Sequence, residues 1–268
     1  KENVNLIVIN FNKTKNAESK LEEYLINLNK KVLIISKEKI KFNNVFLNRT
    51  EIVSDYYLTY FNNDIQYGSK YILKRLIDIF LSLFGLLILS PIFLLIYFYI
   101  LILDGGNVII QQNRVGLHGK QFNMYKFRTM KKNSHKLREN LKEFNEHDDV
   151  IFKIENDPRI IGGTHFLRNF SLDELPQFFN VLKGEMSMVG PRPLFDEDTK
   201  FFDKNYMRRL NVLPGITGLL QINERNTSDF STWYKYDIEY IENWSLFLDM
   251  KIILKTPFSL FNSKVKGI

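Results

Sequence analysis

The sequence has no cysteine among its 268 residues. This absence excludes disulfide bonds, thiolate metal sites and a cysteine nucleophile, and it fits a cytoplasmic location. Glycine is also absent before Gly68, whereas a dinucleotide site needs a glycine-rich turn after its first strand. Nothing near the N-terminus is typical of a signal peptide. The chain starts at Lys1 rather than methionine, so we expect a fragment or a trimmed product.

The composition suits a protein at an interface between apolar and aqueous surroundings. Hydrophobic residues make up 45% of the chain, which is enough for a sizeable core in one large domain or two smaller ones. The 23 phenylalanines and 13 tyrosines are typical of membrane interfaces. The net charge of +7 favours anionic partners, which include nucleic acid, acidic lipid and phosphorylated substrates.

One segment predicts a membrane helix. Residues 79–103 form an uncharged run of 25 residues, which is longer and more apolar than a helix in a soluble core usually is. Pro91 removes a helical hydrogen bond near the middle of the run, and the Ser90 hydroxyl can satisfy the carbonyl group that Pro91 frees. Each half of the run is only about 12 residues long, roughly half the depth of a bilayer.

The charges beside this segment favour a helix that returns to the side from which it entered. Basic residues lie from Lys70 to Arg75, and residues 111–142 contain nine lysines or arginines against one acid. Positive residues mark the cytoplasmic side of a membrane, so a single crossing would leave one basic flank on the wrong side. We therefore predict a re-entrant helix that bends at Ser90 and Pro91.

Residues 1–65 predict a partial α/β unit. Residues 4–9 and 32–35 are short apolar runs typical of strands, and residues 17–29 carry a helical apolar stripe between them. This order indicates a parallel strand–helix–strand arrangement. Residues 42–69 read as a linker with at most one more short strand. A docking or regulatory role fits this part of the chain better than cofactor binding does.

Cations alternate with apolar residues after the membrane run. Residues 114–119 contain two glycines and predict the turn of a β-hairpin. In a strand that follows the turn, Lys126 and Arg128 would lie on one face. Two cations on one face can clamp a phosphate, but a solvated basic strand explains the pattern equally well.

The adjacent carboxylates Asp173 and Glu174 are the main catalytic candidates. Ser171 and Glu174 match a capping box, which would make Glu174 structural and place Asp173 in the first helical turn, where the helix dipole favours its anionic form. An ionised aspartate in that position can also attack phosphorus, with Glu174 holding a divalent cation or moving a proton. Arg168, five residues before Asp173, is close enough to neutralise a pyrophosphate.

Further polar residues follow towards the C-terminus. Two prolines bracket Arg192 and fix its backbone, which suits phosphate binding but also suits an ordinary stiff loop. Residues 221–226, which include Arg225, offer groups that can read a base or a sugar, and Asp237 is the acid to consider in the aromatic stretch beyond them.

Two stretches near the end of the chain are amphipathic. Residues 199–210 and 244–254 each combine an aromatic or aliphatic face with charged residues. Helices of this kind lie on a membrane surface or pack onto a globular core, and the pattern fits both.

Six motifs follow one another in the last three-quarters of the chain. They are Lys126-Phe-Arg128, Asn156-Asp-Pro-Arg159, Leu167-Arg168, Ser171-Leu-Asp-Glu-Leu-Pro-Gln177, Val189-Gly-Pro-Arg-Pro193 and Pro214-Gly-Ile-Thr-Gly218. In this order they resemble the bacterial sugar transferases, which are monotopic polyprenyl-phosphate phosphoglycosyl transferases. The resemblance covers residues 70–268, while residues 1–65 resemble the end of a Rossmann-like domain that precedes this core in larger members. One departure is Glu224, where the family often has glycine.

The resemblance implies an α+β monotopic membrane enzyme with a re-entrant helix–break–helix, interfacial amphipathic helices and a small β-hairpin. It implies transfer of sugar-1-phosphate from a UDP-sugar to undecaprenyl phosphate with release of UMP, as the first membrane step of exopolysaccharide, capsule or lipopolysaccharide assembly. It further implies Mg²⁺ as cofactor, membrane lipids as partners, and a place in the bacterial inner membrane with the active site facing the cytoplasm. A homodimer is compatible with the sequence.

The resemblance also assigns residue roles. Asp173 would attack the β-phosphorus and carry a covalent phosphosugar, and Glu174 would act at the metal or in proton transfer, so both are candidate metal ligands. The positions that match the family's phosphate site are Lys126, Arg168 and Arg192. The substrate-binding candidates that rest on the local pattern are Arg128, Arg225 and Asp237.

Two other functions fit parts of the sequence. An inactive membrane-anchored docking protein would have a damaged carboxylate pair or missing arginines, and the sequence retains both. A nucleic-acid binder fits the net charge alone, because no nucleic-acid motif is present and the membrane segment argues against it.

Overall fold

The computed structural model describes residues 6–11, 21, 25, 31–38, 47–62, 69–131, 134, 157–201, 206–225, 227 and 229–261. Within these residues the protein combines helices with one four-stranded and two two-stranded sheets, which confirms the predicted α+β class. Asn156 and most of the basic stretch beyond Lys131 lie outside the described residues.

The N-terminal sheet has the strand order β1-β2-β4-β3. Strands β1 (Leu6–Phe11) and β2 (Lys31–Ser36) are parallel, which confirms the two predicted strands with slightly shifted ends. Leu21 and Leu25 between them are helical and buried against this sheet. The first part of the predicted α/β unit is therefore present.

The predicted linker contains a β-hairpin. Strands β3 (Leu47–Val53) and β4 (Tyr56–Asn62) pair antiparallel, and β4 also pairs antiparallel with β2. The prediction of at most one short strand was therefore wrong. The two strands join at Ser54, which has a positive φ of 55° without being glycine, so the sequence carried no strong turn signal. The resulting sheet is mixed and is parallel only between β1 and β2.

Helix α1 (Ser69–Asp104) contains the predicted membrane segment and has 36 residues. Among the described residues it is the one helix that is long and apolar enough to cross a membrane, and only 11% of its most apolar window is buried. The helix continues through Pro91 without the predicted interruption. The Ser90 hydroxyl donates to the Leu87 carbonyl at 2.8 Å, the carbonyl that Pro91 leaves without its usual donor. Ser90 therefore has the predicted hydrogen bond.

One side of α1 packs against the rest of the protein along most of its length. Lys74 and Ser82 contact residues of a short strand near its start, and Ile96 and Ile100 belong to a core cluster near its end. A Cβ atom on Gly85, between them, would lie 3.1 Å from the Phe178 ring. Most side chains on the other side of the helix are apolar and exposed.

The remaining elements form the body beside this helix. Strands β5 (Ile109–Val115) and β6 (Gln121–Phe127) form the predicted hairpin. The short strands β7 (Ser187–Val189) and β8 (Gly215–Thr217) are parallel. The helices are α2 (His165–Asn169), α3 (Gln177–Lys183), α4 (Leu219–Asn223), α5 (Phe230–Glu242) and α6 (Leu246–Ser259). The largest core cluster includes Val189, Tyr206, Ile238, Ile241 and Ile252.

The two predicted amphipathic helices have different outcomes. The first is instead two 3-10 turns, Asp196–Phe201 and Tyr206–Asn211, with residues 202–205 outside the described part. Its Arg208 and Arg209 are buried and ion-paired rather than on a polar surface. The prediction of an amphipathic helix on the membrane at residues 199–210 was therefore wrong, because these cations have carboxylate partners within the protein.

Helix α6 confirms that the second stretch, residues 244–254, is largely helical. Ser245 caps it by accepting from the Leu248 N–H. Ile252 is fully buried on one side, while Phe247, Leu254 and Phe258 are 80%, 65% and 79% exposed on another. The helix thus packs onto the core and also presents an apolar face.

Candidate active site

The segment with the two carboxylates is a tight turn and not the start of a long helix. Leu172–Glu174 form a single 3-10 turn, and Ser171 before it is left-handed, with φ 56°. The Ser171 side chain makes no capping bond to the turn, but its hydroxyl accepts from Arg225. The predicted capping box was therefore wrong. A left-handed non-glycine residue costs about 1 kcal/mol or more and persists where surrounding contacts hold it, often at functional sites.

Glu174 lies at the centre of a cluster of cations. Its Oε1 atom is 3.0 Å from Lys126 Nζ, 3.2 Å from an Arg192 nitrogen and 3.1 Å from an Arg225 nitrogen. Burial alone would raise the pKa of this carboxyl, but Lys126, Arg225 and Arg192 hold it well below its usual value. Glu174 is therefore ionised, and three cations converge on one of its oxygens.

The environment of Asp173 is different. Lys126 faces it, with Nζ 3.9 Å from Oδ2. Its Oδ1 atom is buried and has no hydrogen-bond partner among the described residues. Burial raises the pKa of Asp173, Lys126 opposes the rise and neighbouring Glu174 adds to it. The helix dipole that was expected to favour the anion is lacking in a single 3-10 turn, and burial is the largest influence on this pKa.

Arg192 reaches Glu174 from a loop that two glycine motifs hold together. The N–H of Gly190 donates to the Thr217 carbonyl, and the N–H of Gly215 donates to the Pro191 carbonyl, both at 2.9 Å. A Cβ atom on Gly190 would lie 2.3 Å from the Leu213 carbonyl oxygen, and one on Gly215 would lie 2.1 Å from the Gly190 nitrogen. Only glycine allows this approach, so the fold joins segments 189–193 and 214–218 into one support for Arg192.

Asp237 lies behind Arg192 and not beside the carboxylates. It is 3% exposed, accepts from the Tyr206 hydroxyl at 2.8 Å and pairs with Arg209 at 3.1 Å. Arg209 in turn donates to the backbone carbonyl of Arg192. Asp237, predicted as a substrate contact, is thus placed to support Arg192 through Arg209. In the sequence, Arg209 carries no functional signal beyond being a basic residue in an aromatic stretch.

Arg128 is also separated from the carboxylate pair. Its guanidinium pairs with Asp104 at 2.9 Å and donates to the Gly105 carbonyl at the end of α1. Strand β6 ends at Phe127, so the alternation that would put Arg128 on the same face as Lys126 does not extend to it. The predicted two-cation clamp is not formed by this pair, and Arg128 instead binds the end of the membrane helix.

Arg168 lies close to the turn as predicted, and Arg225, predicted to read a base or a sugar, contacts Ser171 and Glu174 there. Arg168 is half-buried in α2, and its charge lowers the pKa of Asp173, although burial and Glu174 raise it. Arg225 follows Glu224, the residue that replaces the family's usual glycine. Glu224 has a negative φ of −145°, and its carboxylate accepts from the Tyr236 hydroxyl. The position therefore does not use the left-handed conformation that favours glycine.

A magnesium ion, predicted for this site, would be held by Asp173 or Glu174. Mg²⁺ is commonly bound by one or two carboxylates together with phosphates, and Asp173 Oδ1 is an available buried oxygen. Glu174 Oε1 already contacts three cations, so it suits a metal less well. The described residues contain no group of three or more acidic, histidine or cysteine ligands. Magnesium stays a prediction, with Asp173 as the better-placed ligand.

Sequence comparisons agree with the resemblance that the six sequence motifs indicated. The profile of the family described as bacterial sugar transferase matches residues 69–263. The chain is 39% identical over 226 residues to the galactosyl transferase CpsE of Streptococcus agalactiae, covering 84% of this chain and 50% of the relative. It is 40% identical over 230 residues to a Klebsiella pneumoniae protein named UDP-glucose:undecaprenyl-phosphate glucose-1-phosphate transferase, covering 82% and 47%.

A shorter relative matches over most of its own length. The exopolysaccharide production protein ExoY of Rhizobium meliloti is 40% identical over 187 residues, which is 68% of this chain and 83% of that protein. By contrast, the chain spans about half the length of the first two relatives. Residues 69–263, which the family profile matches, contain the two carboxylates and the cations around them.

Proposed function

Since the chain belongs to the bacterial sugar transferase family, we propose that it transfers a sugar-1-phosphate from a UDP-sugar to undecaprenyl phosphate and releases UMP. The names of its relatives support donor and acceptor of this kind. The role would be the first membrane step of exopolysaccharide or capsule assembly, as names among the relatives suggest.

One observation carries the proposal: Oδ1 of Asp173 is buried beside a cluster of cations and has no hydrogen-bond partner in the part of the chain that the structure describes. In the first step this oxygen forms a bond to the β-phosphorus, and the bond from that phosphorus to the bridging oxygen breaks. UMP leaves with the electron pair, and the sugar phosphate remains on Asp173. In the second step a phosphate oxygen of the acceptor attacks the same phosphorus and restores the Asp173 carboxylate.

The cations offset an electrostatic barrier. A carboxylate and a diphosphate are both anionic and repel each other, so charge at the reacting phosphorus must be neutralised. Glu174 holds Lys126, Arg192 and Arg225 around one point, and this arrangement leaves excess positive charge for the donor. Magnesium would supply further charge neutralisation if Glu174 or the other oxygen of Asp173 held it, because Oδ1 is the attacking oxygen.

The packing of α1 supports a monotopic placement in the membrane. Contacts with the body extend from Lys74 to Ile100, about 39 Å at 1.5 Å per residue, whereas the hydrocarbon layer is about 30 Å thick. A helix along the membrane normal would therefore draw the polar body into the lipid. Placing both ends of α1 at the cytoplasmic face of the inner membrane avoids this, and the apolar face of α6 would lie at the same interface.

The test is to trap the intermediate. Purified protein incubated with a UDP-sugar and Mg²⁺, without acceptor, should release UMP up to the amount of enzyme and gain the mass of one sugar phosphate. Adding undecaprenyl phosphate should discharge the adduct and start turnover. A panel of UDP-sugars, assayed in the same way, identifies the sugar.

Asp173→Asn should abolish the adduct and reduce turnover about 10⁴-fold or more, as loss of a nucleophile does. Asp196→Asn is the matched control, because Asp196 is exposed on the first of the two 3-10 turns. Undiminished UMP release by Asp173→Asn would show that this residue is not the nucleophile.

A further inference from the structure

Three polar side chains lie four residues apart on one side of the membrane helix. Lys74, Asp78 and Ser82 are all buried, with exposed fractions of 8%, 3% and 0%, and their spacing puts them on one helical face. All three contact strand β7. Lys74 Nζ donates to the Val189 carbonyl at 3.1 Å, Asp78 accepts from the Met188 N–H at 3.0 Å, and the Ser82 hydroxyl contacts the Met188 sulfur at 3.5 Å.

Residues of helices α5 and α6 contact the same two groups, the Lys74 ammonium and the Val189 carbonyl. Lys74 pairs with Asp249 at 2.7 Å. The Tyr240 hydroxyl contacts Asp249 at 2.8 Å and the Val189 carbonyl at 3.0 Å, and the Trp244 indole N–H donates to Asp249 at 3.1 Å. The Val189 carbonyl and Asp249 of α6 therefore share two groups, the Lys74 ammonium of α1 and the Tyr240 hydroxyl of α5, whose single proton serves one acceptor at a time.

The Val189 carbonyl is close to the active site along the chain. Val189 ends β7, and Gly190 and Pro191 connect it to Arg192, whose guanidinium binds Glu174. The proline and the hydrogen bonds to β8 make this connection stiff. A shift of the Val189 carbonyl would therefore move Arg192. A buried lysine–aspartate pair adds little net stability compared with apolar residues, so its placement here calls for a role beyond stability.

We propose that Lys74, Asp78 and Ser82 form a positioning stripe, which fixes β7 to the membrane helix and thereby holds Arg192 against Glu174 and the donor diphosphate. The inference rests on the proposed function. It assigns Lys74 to the protein interior, and not to lipid headgroups, because this lysine is buried and has a carboxylate and a carbonyl as partners.

The test is a double-mutant cycle between Lys74 and Arg192. Lys74→Met should reduce kcat/KM for the UDP-sugar about 10- to 100-fold, the range expected when a catalytic group is misplaced by about 1 Å. In an Arg192→Ala background the same change should cost less than about 2-fold, because the group that it positions is already gone. Tyr240→Phe, which removes the hydroxyl that Val189 and Asp249 share without removing a charge, should act in the same direction.

Lys70→Met is the matched control, because Lys70 lies on the same helix and is exposed. It should leave kcat/KM unchanged, and thermal melting of each variant in detergent reports the folded fraction used to normalise rates. Equal losses from Lys74→Met in both backgrounds, or an equal loss from Lys70→Met, would overturn the inference. Wild-type protein that forms no adduct and releases no UMP would overturn the proposed function and this inference together.

Discussion

Two buried clusters of charge lie on either side of the Arg192 loop, and they differ in how their charges are balanced. Around Glu174, three cations converge on one oxygen while Oδ1 of the neighbouring Asp173 has no partner among the described residues. Around Asp249, three donors from Lys74, Tyr240 and Trp244 share the two oxygens of one carboxylate.

The difference separates a reactive cluster from a supporting one. An excess of cations and an unpartnered carboxylate oxygen are unfavourable in a folded protein unless a substrate completes them, because buried charge without a partner is costly. The Asp249 cluster has its partners within the chain. Changes in the first cluster should therefore reduce activity more than stability, whereas changes in the second should lower stability and, through the position of Arg192, activity as well.

Asp249→Asn gives the largest expected effect on stability. The change leaves Lys74 buried without its carboxylate, and breaking such a pair costs about 3–5 kcal/mol. Thermal unfolding in detergent measures it as a clear fall in Tm. The control is Glu242→Gln, which removes a pair between Arg208 and a 40% exposed side chain and should cost less than about 1 kcal/mol. If Asp249→Asn and Glu242→Gln had the same Tm, the Asp249 cluster would not have the stabilising role that distinguishes it here.

Glu174→Gln should affect the reactive cluster through catalysis. The amide cannot hold three cations around one oxygen, so kcat for UMP release should fall about 100-fold, as it does when catalytic groups lose their positions. The fall in Tm should be smaller than that for Asp249→Asn, since the three cations are partly exposed. If the Tm of Glu174→Gln fell as far as that of Asp249→Asn while its kcat stayed unchanged, the two clusters would have the same role.

The pH dependence of adduct formation tests the environment of Asp173. Its folded pKa is raised above 3.8, because burial outweighs the attraction of Lys126. The nucleophile must be ionised, so the rate should fall as pH falls through this raised pKa, at a higher pH than for an ordinary aspartate. Lys126→Met should move the fall to still higher pH, because the cation that opposes the rise is lost. A shift to lower pH would contradict this electrostatic picture.

Phe258→Glu gives the smallest expected effect and lies outside both clusters. The residue is 79% exposed on α6, and removing one aromatic ring from a membrane interface costs about 2 kcal/mol of binding. The variant should leave isolated membranes at a lower detergent concentration than the wild type. Ile52→Glu is the control, because Ile52 is 69% exposed on the N-terminal sheet. Identical extraction of both variants would argue against an interfacial α6.

The sequence allowed much of the fold to be predicted where the pattern was local. The uncharged run in residues 79–103, the hairpin that contains Lys126, and strands β1 and β2 follow from hydrophobic periodicity and turn residues. The β3–β4 hairpin was missed because its turn uses Ser54 at positive φ. The capping box was wrong because Ser171 is also left-handed, a conformation that contacts from elsewhere, including Arg225, hold in place.

The sequence by itself determined which chemistry is available: a carboxylate pair, several arginines, a bent-helix signal at Ser90 and Pro91, and no cysteine. Only the tertiary structure decided which role each of these residues has. It placed Arg128 and Asp237 outside the carboxylate pair and gave Glu174 to the cations while leaving Asp173 Oδ1 open. The physical reason is that burial and partners far apart in sequence set the pKa and the contacts of a charged group, and a local pattern contains neither.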